Sequence, residues 1–230
     1  ANGRSHVFVR SIVATDRGSD VRFVSSWGDG RFTLQLPGEF NVANAVLVLA
    51  LLLKKGVPLT TACDVMSQLS APPGRMQRVA ADGPAVFVDY AHTPAALEVA
   101  LRALRAHCRG RIWVVFGCGG DRDSGKRPQM GRAAEHLADQ VVITNDNPRS
   151  EDADAIVDDI VAGLEYPERL TIIEDRAAAI AWTIEHAAAS DAVLVAGKGH
   201  EEYQEARGMR VPFSDYAIAR KALAVKEGAR

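Results

Sequence analysis

Residues 113–149 read WVVFGCGGDRDSGKRPQMGRAAEHLADQVVITNDNPR and hold two short apolar runs, each stopping in a loop dense with charge. The first run, Ile112 to Phe116, gives way to Gly117, Gly119 and Gly120, which turn the backbone without a Cβ penalty, and then to Asp121, Arg122 and Asp123. The second, Val141 to Thr144, ends in Asp146, Asn147, Pro148 and Arg149. Between them Pro128 is expected to open a helix at its first position, where a missing N–H costs nothing. A strand, a returning helix and a second strand make a parallel pair. Ligands of open parallel sheets bind outside the carboxyl ends of the strands, so both charged loops are expected to line one site.

The same alternation extends outward. Strands are expected at Val86–Val88, Leu170–Ile173 and Ala192–Ala196, and helices at Pro94–His107, Ala153–Leu164, Arg176–Ala187 and Asp215–Val225. Leu97, Leu101 and Leu104 share one helix face, as do Ile156, Ile160 and Leu164. Strands spaced by helices predict an α/β fold with a mostly parallel sheet flanked by helices. Tyr203 to Val211, centred on Arg207-Gly208, reads as an edge hairpin. Before all this, Ala71-Pro72-Pro73-Gly74 is the strongest break in the chain and marks a domain boundary, giving domains 1–70 and 71–230. The first domain reads as small antiparallel strands (HVFVRSIV, VRFVSSW, RFTLQL) followed by a helix from Glu39 stopped by Gly56, and a second from Thr60 to Leu69. Gly28-Asp29-Gly30 is the expected hairpin turn.

With 230 residues, 47% hydrophobic and 24% charged, the chain is long enough for one large domain or for one and a half smaller ones. A formal net charge of -2 without a long basic run argues against nucleic acid as the main partner. Cys63, Cys108 and Cys118 show no C-x-x-C spacing, so neither a disulfide framework nor a zinc site is expected and a reducing cytoplasm fits. No signal peptide is seen in Ala1 to Asp20. The longest apolar run, Ala45 to Leu53, falls well short of the roughly 20 residues of a membrane span and reads as a buried core helix. The opening residues go straight into strand-like alternation, which suggests that Ala1 lies inside a longer protein.

Several residues could carry chemistry. Gly120-x4-Gly125-Lys126 approaches a phosphate-binding loop, but Arg127 stands where a magnesium-binding Ser or Thr is required, and Asp121 and Asp123 would oppose a triphosphate. Arg122 and Arg149 each follow a strand end, and a guanidinium fork pairs bidentately with a carboxylate. They suit a ligand carrying a carboxylate, or else bridge Asp121, Asp123 or Glu151 structurally. Pro148 fixes its own φ and pushes Asn147 towards an extended backbone. In Gly197-Lys198-Gly199-His200-Glu201, Glu201 offers a carboxylate and Gly197 a bare carbonyl to a ligand ammonium; the alternative is a glycine-rich turn with a solvated Glu. In Asp89-Tyr90-Ala91-His92-Thr93-Pro94, Thr93 caps the next helix, Pro94 sits at its first position, and Asp89 could hold a ribose hydroxyl. His92 is either structural or catalytic, and His200 has no second His at metal spacing.

GCGGDRDSGKRPQMG, DNPRSED, AGKGHE and DYAHTP, in this arrangement from Leu36 onward, resemble the C-terminal half of the Mur ligases, on the branch that adds meso-diaminopimelate to UDP-N-acetylmuramoyl-L-alanyl-D-glutamate in peptidoglycan precursor synthesis. The resemblance implies a Rossmann-like C-terminal domain preceded by the end of the family's central ATP-binding domain. It implies ATP and Mg2+ as cofactors, their main ligands expected in N-terminal domains outside this chain, and meso-diaminopimelate and the UDP-N-acetylmuramoyl dipeptide as partners. It assigns Arg122, Asp146, Asn147, Pro148, Arg149, Gly197 and Glu201 to diaminopimelate and Asn41, Arg75 and Asp89 to the nucleotide; it names no catalytic residue and no metal ligand here. The implied reaction passes through an acyl phosphate attacked by the incoming amine. Rival readings are another ligase of this superfamily, such as a D-Ala-D-Ala-adding or folylpolyglutamate enzyme, which should lack DNPR, and an amino-acid-binding module without activity of its own.

Overall fold

The structure, a computed structural model, describes residues 6–15, 18–79 and 83–228. It divides into two compact units, Ala1–Ala71 and Pro72–Arg230. In the first, β1 (Val7–Thr15), β2 (Gly18–Ser25) and β3 (Gly30–Leu34) form an antiparallel sheet in that order. Alternation in the middle of β2 shows why: Val21 and Phe23 point into the core while Asp20 and Arg22 are exposed. Two helices, α1 (Glu39–Lys54) and α2 (Leu59–Ser67), cover the buried face, closing a core that includes Phe23, Phe32, Leu34, Leu49, Leu53 and Met66. The run Ala45–Leu53 is not buried all round, as its composition suggests. Ala45, Leu49 and Leu53 enter the core, whereas Leu47 and Leu51 are exposed, because only the stripe repeating every four residues faces the sheet.

The second unit is built on a six-stranded sheet in the order β4-β5-β9-β6-β7-β8. Its strands are β4 (Gln77–Val79), β5 (Ala85–Asp89), β6 (Ile112–Phe116), β7 (Gln140–Ile143), β8 (Thr171–Ile172) and β9 (Ala192–Ala196). All neighbours are parallel except β4, which runs antiparallel to β5. Three residues are too few for a periodic signal, so β4 is absent from the sequence reading. The helices are α3 (Pro94–His107), α4 (Lys126–Leu137), α5 (Ala153–Val161), α6 (Arg176–His186) and α7 (Asp215–Gly228).

Every residue of β6 is buried, as expected for a strand covered on both faces. Val114 and Phe116 pack with Leu97, Leu101, Met130 and Ile156 from α3, α4 and α5, and Trp113 and Val115 with Ile180, Ile184 and Leu223 from α6 and α7. Thr93 caps α3 by accepting from Ala96 N–H at 3.3 Å, with Pro94 at the first position. Pro128, in contrast, does not open α4. The helix starts two residues earlier, at Lys126, which leaves Pro128 in the first turn, where its missing N–H is still not needed by the ladder. A separate hairpin, β10 (Tyr203–Ala206) with β11 (Met209–Pro212), follows β9. No described helix is long and apolar enough to cross a membrane.

Candidate functional site

Insertion of β9 between β5 and β6 brings the carboxyl ends of β5, β9, β6 and β7 side by side. Asp89 pairs in register with Ala196, and Phe116 with Ile143. The loops that begin at Asp89, Gly197, Gly117 and Thr144 therefore leave one edge of the sheet, where open parallel sheets bind ligands.

A buried charge cluster joins two of these loops. Lys198 is 0% exposed, and its Nζ lies 2.8 Å from Asn147 Oδ1, 3.3 Å from Glu201 Oε2 and 3.9 Å from Asp146 Oδ1. Asn147 Nδ2 donates to the same Glu201 Oε2 at 2.8 Å, and Asn147 Oδ1 also accepts Glu205 N–H at 2.9 Å. Asn147 is thereby engaged at both ends of its amide. Gly197 has φ +117, and a Cβ on it would lie 2.5 Å from Asp146 Oδ2, so only glycine lets this carboxylate approach the loop. Burial pushes the Asp146 carboxyl above its usual pKa, against the attraction of Arg176 and Lys198. Below the cluster Arg176 and Asp215, both fully buried, form a bidentate pair with two contacts of 2.8 Å; Arg176 Nη2 also donates to Ala196 O at 2.9 Å. That pair ties the starts of α6 and α7 to the end of β9.

The arginine side of the site is held differently. Arg149 adopts φ +53, a left-handed conformation costing a side-chain-bearing residue on the order of 1 kcal/mol. The hairpin β10–β11 holds it there: Arg149 N donates to Glu205 O at 3.1 Å and Arg207 N donates to Arg149 O at 2.6 Å. Its Nη1 donates to Gly120 O at 2.7 Å, and a Cβ on Gly119 would come within 2.7 Å of that nitrogen. The glycines of this loop thus make room for the 147–149 segment. Arg122 is exposed, with one hydrogen bond to Asp121 O at 3.2 Å.

Among the described residues neither Arg122 nor Arg149 makes a contact ion pair with Asp121, Asp123 or Glu151, although both act on the Asp121 charge at longer range. Those carboxylates are occupied elsewhere. Glu151 and Asp159 pair with the buried Arg127 at 2.8 and 2.9 Å. Asp121 accepts from the Ser150 hydroxyl at 2.6 Å, which, with the Ser150 amide, holds its carboxyl below the usual carboxylate range. Asp123 takes Gly125 N–H at 2.9 Å, a donor that a phosphate-binding loop would turn towards its ligand. Asp121 N–H goes to Glu151 Oε1.

Of the residues assigned to a nucleotide, Arg75 and Asp89 lie close together. Asp89 Oδ2 accepts Met76 N–H at 2.6 Å, and burial raises its carboxyl pKa. Arg75 is exposed and lies over the Tyr90 ring at 4.6 Å. Tyr90 also meets His92 and His200, with ring centroids 4.4 and 5.5 Å away. His92 Nδ1 lies 2.7 Å from Tyr90 O, so a proton on Nδ1 is directed into the backbone and Nε2 is the nitrogen left for other contacts. Asn41 belongs to the first unit, where its Nδ2 donates to Pro37 O at 2.8 Å across the start of α1. Among the described residues no group of three or more His, Cys, Asp or Glu could hold a metal ion.

Three further residues build this site without a sign of that role in the sequence: Arg127, Arg176 and Lys198. Each is a charged residue at or beside a helix start or turn, where solvation is the ordinary expectation. Each has a charged or amide partner far along the chain: Glu151 lies 24 residues from Arg127, Asp215 39 from Arg176 and Asn147 51 from Lys198. The one available signal was Lys198 between two glycines inside AGKGHE, directly after a strand with no polar residue.

The profile of "Mur ligase, glutamate ligase domain" matches residues 74–199. The chain is 49% identical over 224 residues to a UDP-N-acetylmuramoyl-L-alanyl-D-glutamate--2,6-diaminopimelate ligase of Haemophilus ducreyi, covering 95% of this chain and 45% of that protein. It is 46% identical to the protein of the same description from Vibrio cholerae, covering 96% of this chain and 45% of the other. A solved structure of a UDP-N-acetylmuramoyl-L-alanyl-D-glutamate--2,6-diaminopimelate ligase superposes with a TM-score of 0.77 at 40% identity, over 96% of this chain and 46% of the other. Folylpolyglutamate synthase of Thermotoga maritima, at 20% identity and a TM-score of 0.65, shares the fold, with 95% of this chain and 46% of that one covered. The chain spans a little under half the length of the curated relatives it matches. A matched profile over more than half of the chain, close relatives of one description and a common fold place the chain in the Mur ligase family.

Proposed function

We propose that this chain supplies the amino-acid-binding part of an ATP-dependent ligase that adds meso-diaminopimelate to UDP-N-acetylmuramoyl-L-alanyl-D-glutamate. The observation that carries the reading is the separation of charge at one sheet edge. Arg122 and Arg149 present guanidinium groups that make no contact ion pair with the carboxylates around them, Asp121 acting on both only at longer range, while Asp146 and Glu201 converge a few residues away. Diaminopimelate carries carboxylates and ammonium groups at both ends, and such an arrangement receives each with its opposite. Relatives at 46 and 49% identity described as diaminopimelate ligases support the choice of amino acid.

In this reading Arg122 and Arg149 take the distal carboxylate, Glu201, Asp146 and the Gly197 carbonyl take the distal ammonium, and Asn147 and Pro148 hold the loop in shape. Fixing the far end points the other amine towards an activated acyl group, and orientation is the main contribution such a pocket makes to rate. ATP would activate the acceptor carboxylate as an acyl phosphate. Asp89, which keeps one carboxylate oxygen clear of Met76 N–H, would accept from a ribose hydroxyl, with Arg75 as a further nucleotide contact. Magnesium, which phosphoryl transfer uses to offset developing charge, has no ligand cluster among the described residues.

Isothermal titration of residues 1–230 with meso-diaminopimelate and with lysine tests the reading. Lysine lacks the distal carboxylate and leaves two forks unpaired, so discrimination of roughly a hundredfold to a thousandfold is expected. Arg149→Ala should lose most of it, and Arg149→Lys should not restore it, because a point charge does not reproduce the fork. Equal affinities for the two amino acids in the unaltered chain would refute the pocket.

A further inference from the structure

We propose that Lys198 is a positioning residue, an internal cation that orients Glu201 and Asn147 and leaves the cluster with a single unmatched negative charge for the ammonium of the incoming amino acid. The proposal rests on the pocket described above and adds to it a residue with no expected ligand contact.

Geometry makes the case. The Lys198 ammonium is fully buried, and three acceptors surround it: Asn147 Oδ1 at 2.8 Å, Glu201 Oε2 at 3.3 Å and Asp146 Oδ1 at 3.9 Å. The Tyr203 ring lies 5.5 Å from Nζ on the hairpin side. Because Asn147 Oδ1 faces Lys198 and Glu205 N–H, the Asn147 amide has one orientation, with Nδ2 directed at Glu201 Oε2. Glu201 Oε2 thus receives two donors, while Oε1 has no hydrogen-bond partner among the described residues and remains available. One carboxylate oxygen anchors the side chain and the other faces the ligand.

Charge follows the same logic. The groups acting on Asp146 are Arg176, Lys198, Asp215 and Glu201, so three carboxylates stand against two cations. Arg176 is committed to Asp215 by both contacts of 2.8 Å. Arg176 acts on Asp146 and Glu201 from a distance, but Lys198 is the cation in ion-pair contact with both. Two like-charged carboxylates in a buried site do not both remain ionised without a cation between them. Lys198 supplies the cation between these two carboxylates, and an incoming ammonium completes the balance. In a variant without that cation, the expectation under test is that one carboxyl takes up a proton and offers a donor where the ligand needs an acceptor.

The test compares Lys198→Met with the unaltered chain by titration of meso-diaminopimelate, in buffers of differing ionisation enthalpy, from pH 6.5 to 8.5. For the unaltered chain the expected result is binding at pH 7.5 with almost no proton exchange. For Lys198→Met, affinity should fall about tenfold or more, and binding should release about one proton as the protonated carboxyl ionises against the arriving ammonium. Affinity should also worsen with falling pH in the variant. A loss of affinity without proton release would reduce Lys198 to a packing role and overturn the proposal, as would unchanged affinity. If the unaltered chain binds no diaminopimelate, the pocket reading itself fails and this proposal with it, a different outcome from failure of the variant alone. Should Lys198→Met not fold, the Nζ resonance of the unaltered chain decides. A slowly exchanging ammonium signal that shifts on saturation with diaminopimelate and not with lysine-free buffer is expected, and a signal indifferent to the ligand overturns the proposal.

Discussion

Replacing Asp215 with Asn tests the foundation on which the site stands. Arg176 and Asp215 are both 0% exposed and share two contacts of 2.8 Å, and Arg176 also holds Ala196 O at 2.9 Å. Asparagine keeps the volume, but it removes the charge and turns one acceptor into an NH2 group facing the guanidinium. The buried cation is then left without its counter-ion. Breaking a buried pair on one side costs about 3–5 kcal/mol, a large share of the roughly 5–15 kcal/mol by which a domain is stable. At about 2–4 °C per kcal/mol for a unit of this size, the melting midpoint should fall by about 6–20 °C. Urea unfolding followed by circular dichroism gives the same quantity as a shift in midpoint at unchanged slope. The double variant Arg176→Met with Asp215→Asn removes the orphaned cation and should recover much of the loss, since a buried pair as a whole adds little net stability. A single variant that loses less than about 1 kcal/mol would refute the reasoning. So would a double variant no more stable than the single one.

Two further outcomes follow from the same geometry. Gly197→Ala places a methyl group 2.5 Å from Asp146 Oδ2 at φ +117, so it should displace that carboxylate and weaken diaminopimelate binding by tenfold or more while circular dichroism stays unchanged; a variant that binds as well as the parent would show that the contact yields freely. Carboxyl titration by 13C NMR should place Asp146 above and Asp121 below the ordinary aspartate value of 3.8. The signs for stability are opposite. Asp146, raised by burial, contributes stability present at low pH and lost as pH climbs through its folded value, so Asp146→Asn should gain relative to the parent between acid and neutral pH. Asp121, lowered by Ser150, contributes above 3.8 and loses that contribution as pH falls through its folded value; Ser150→Ala should return its titration towards 3.8.

Local pattern determined a great deal here. The apolar run Ile112–Phe116 announced a strand buried on both faces, Thr93-Pro94 announced a capped helix, and regular strand and helix spacing announced a parallel α/β sheet; each depends on neighbours within a few residues. The charged ends of β6 and β7 could likewise be placed on one edge, because a single crossover helix joins them. The position of β9 could not. Nothing in Ala192–Ala196 indicates that this last parallel strand slots between β5 and β6, yet that choice sets Gly197–Glu201 beside Asp146 and Asn147. Arg127, Arg176 and Lys198 were hidden for the same reason. A charged side chain in sequence is indistinguishable from a solvated one, and it becomes an internal cation only when folding brings distant carboxylates within about 3 Å and excludes the water that would otherwise screen them.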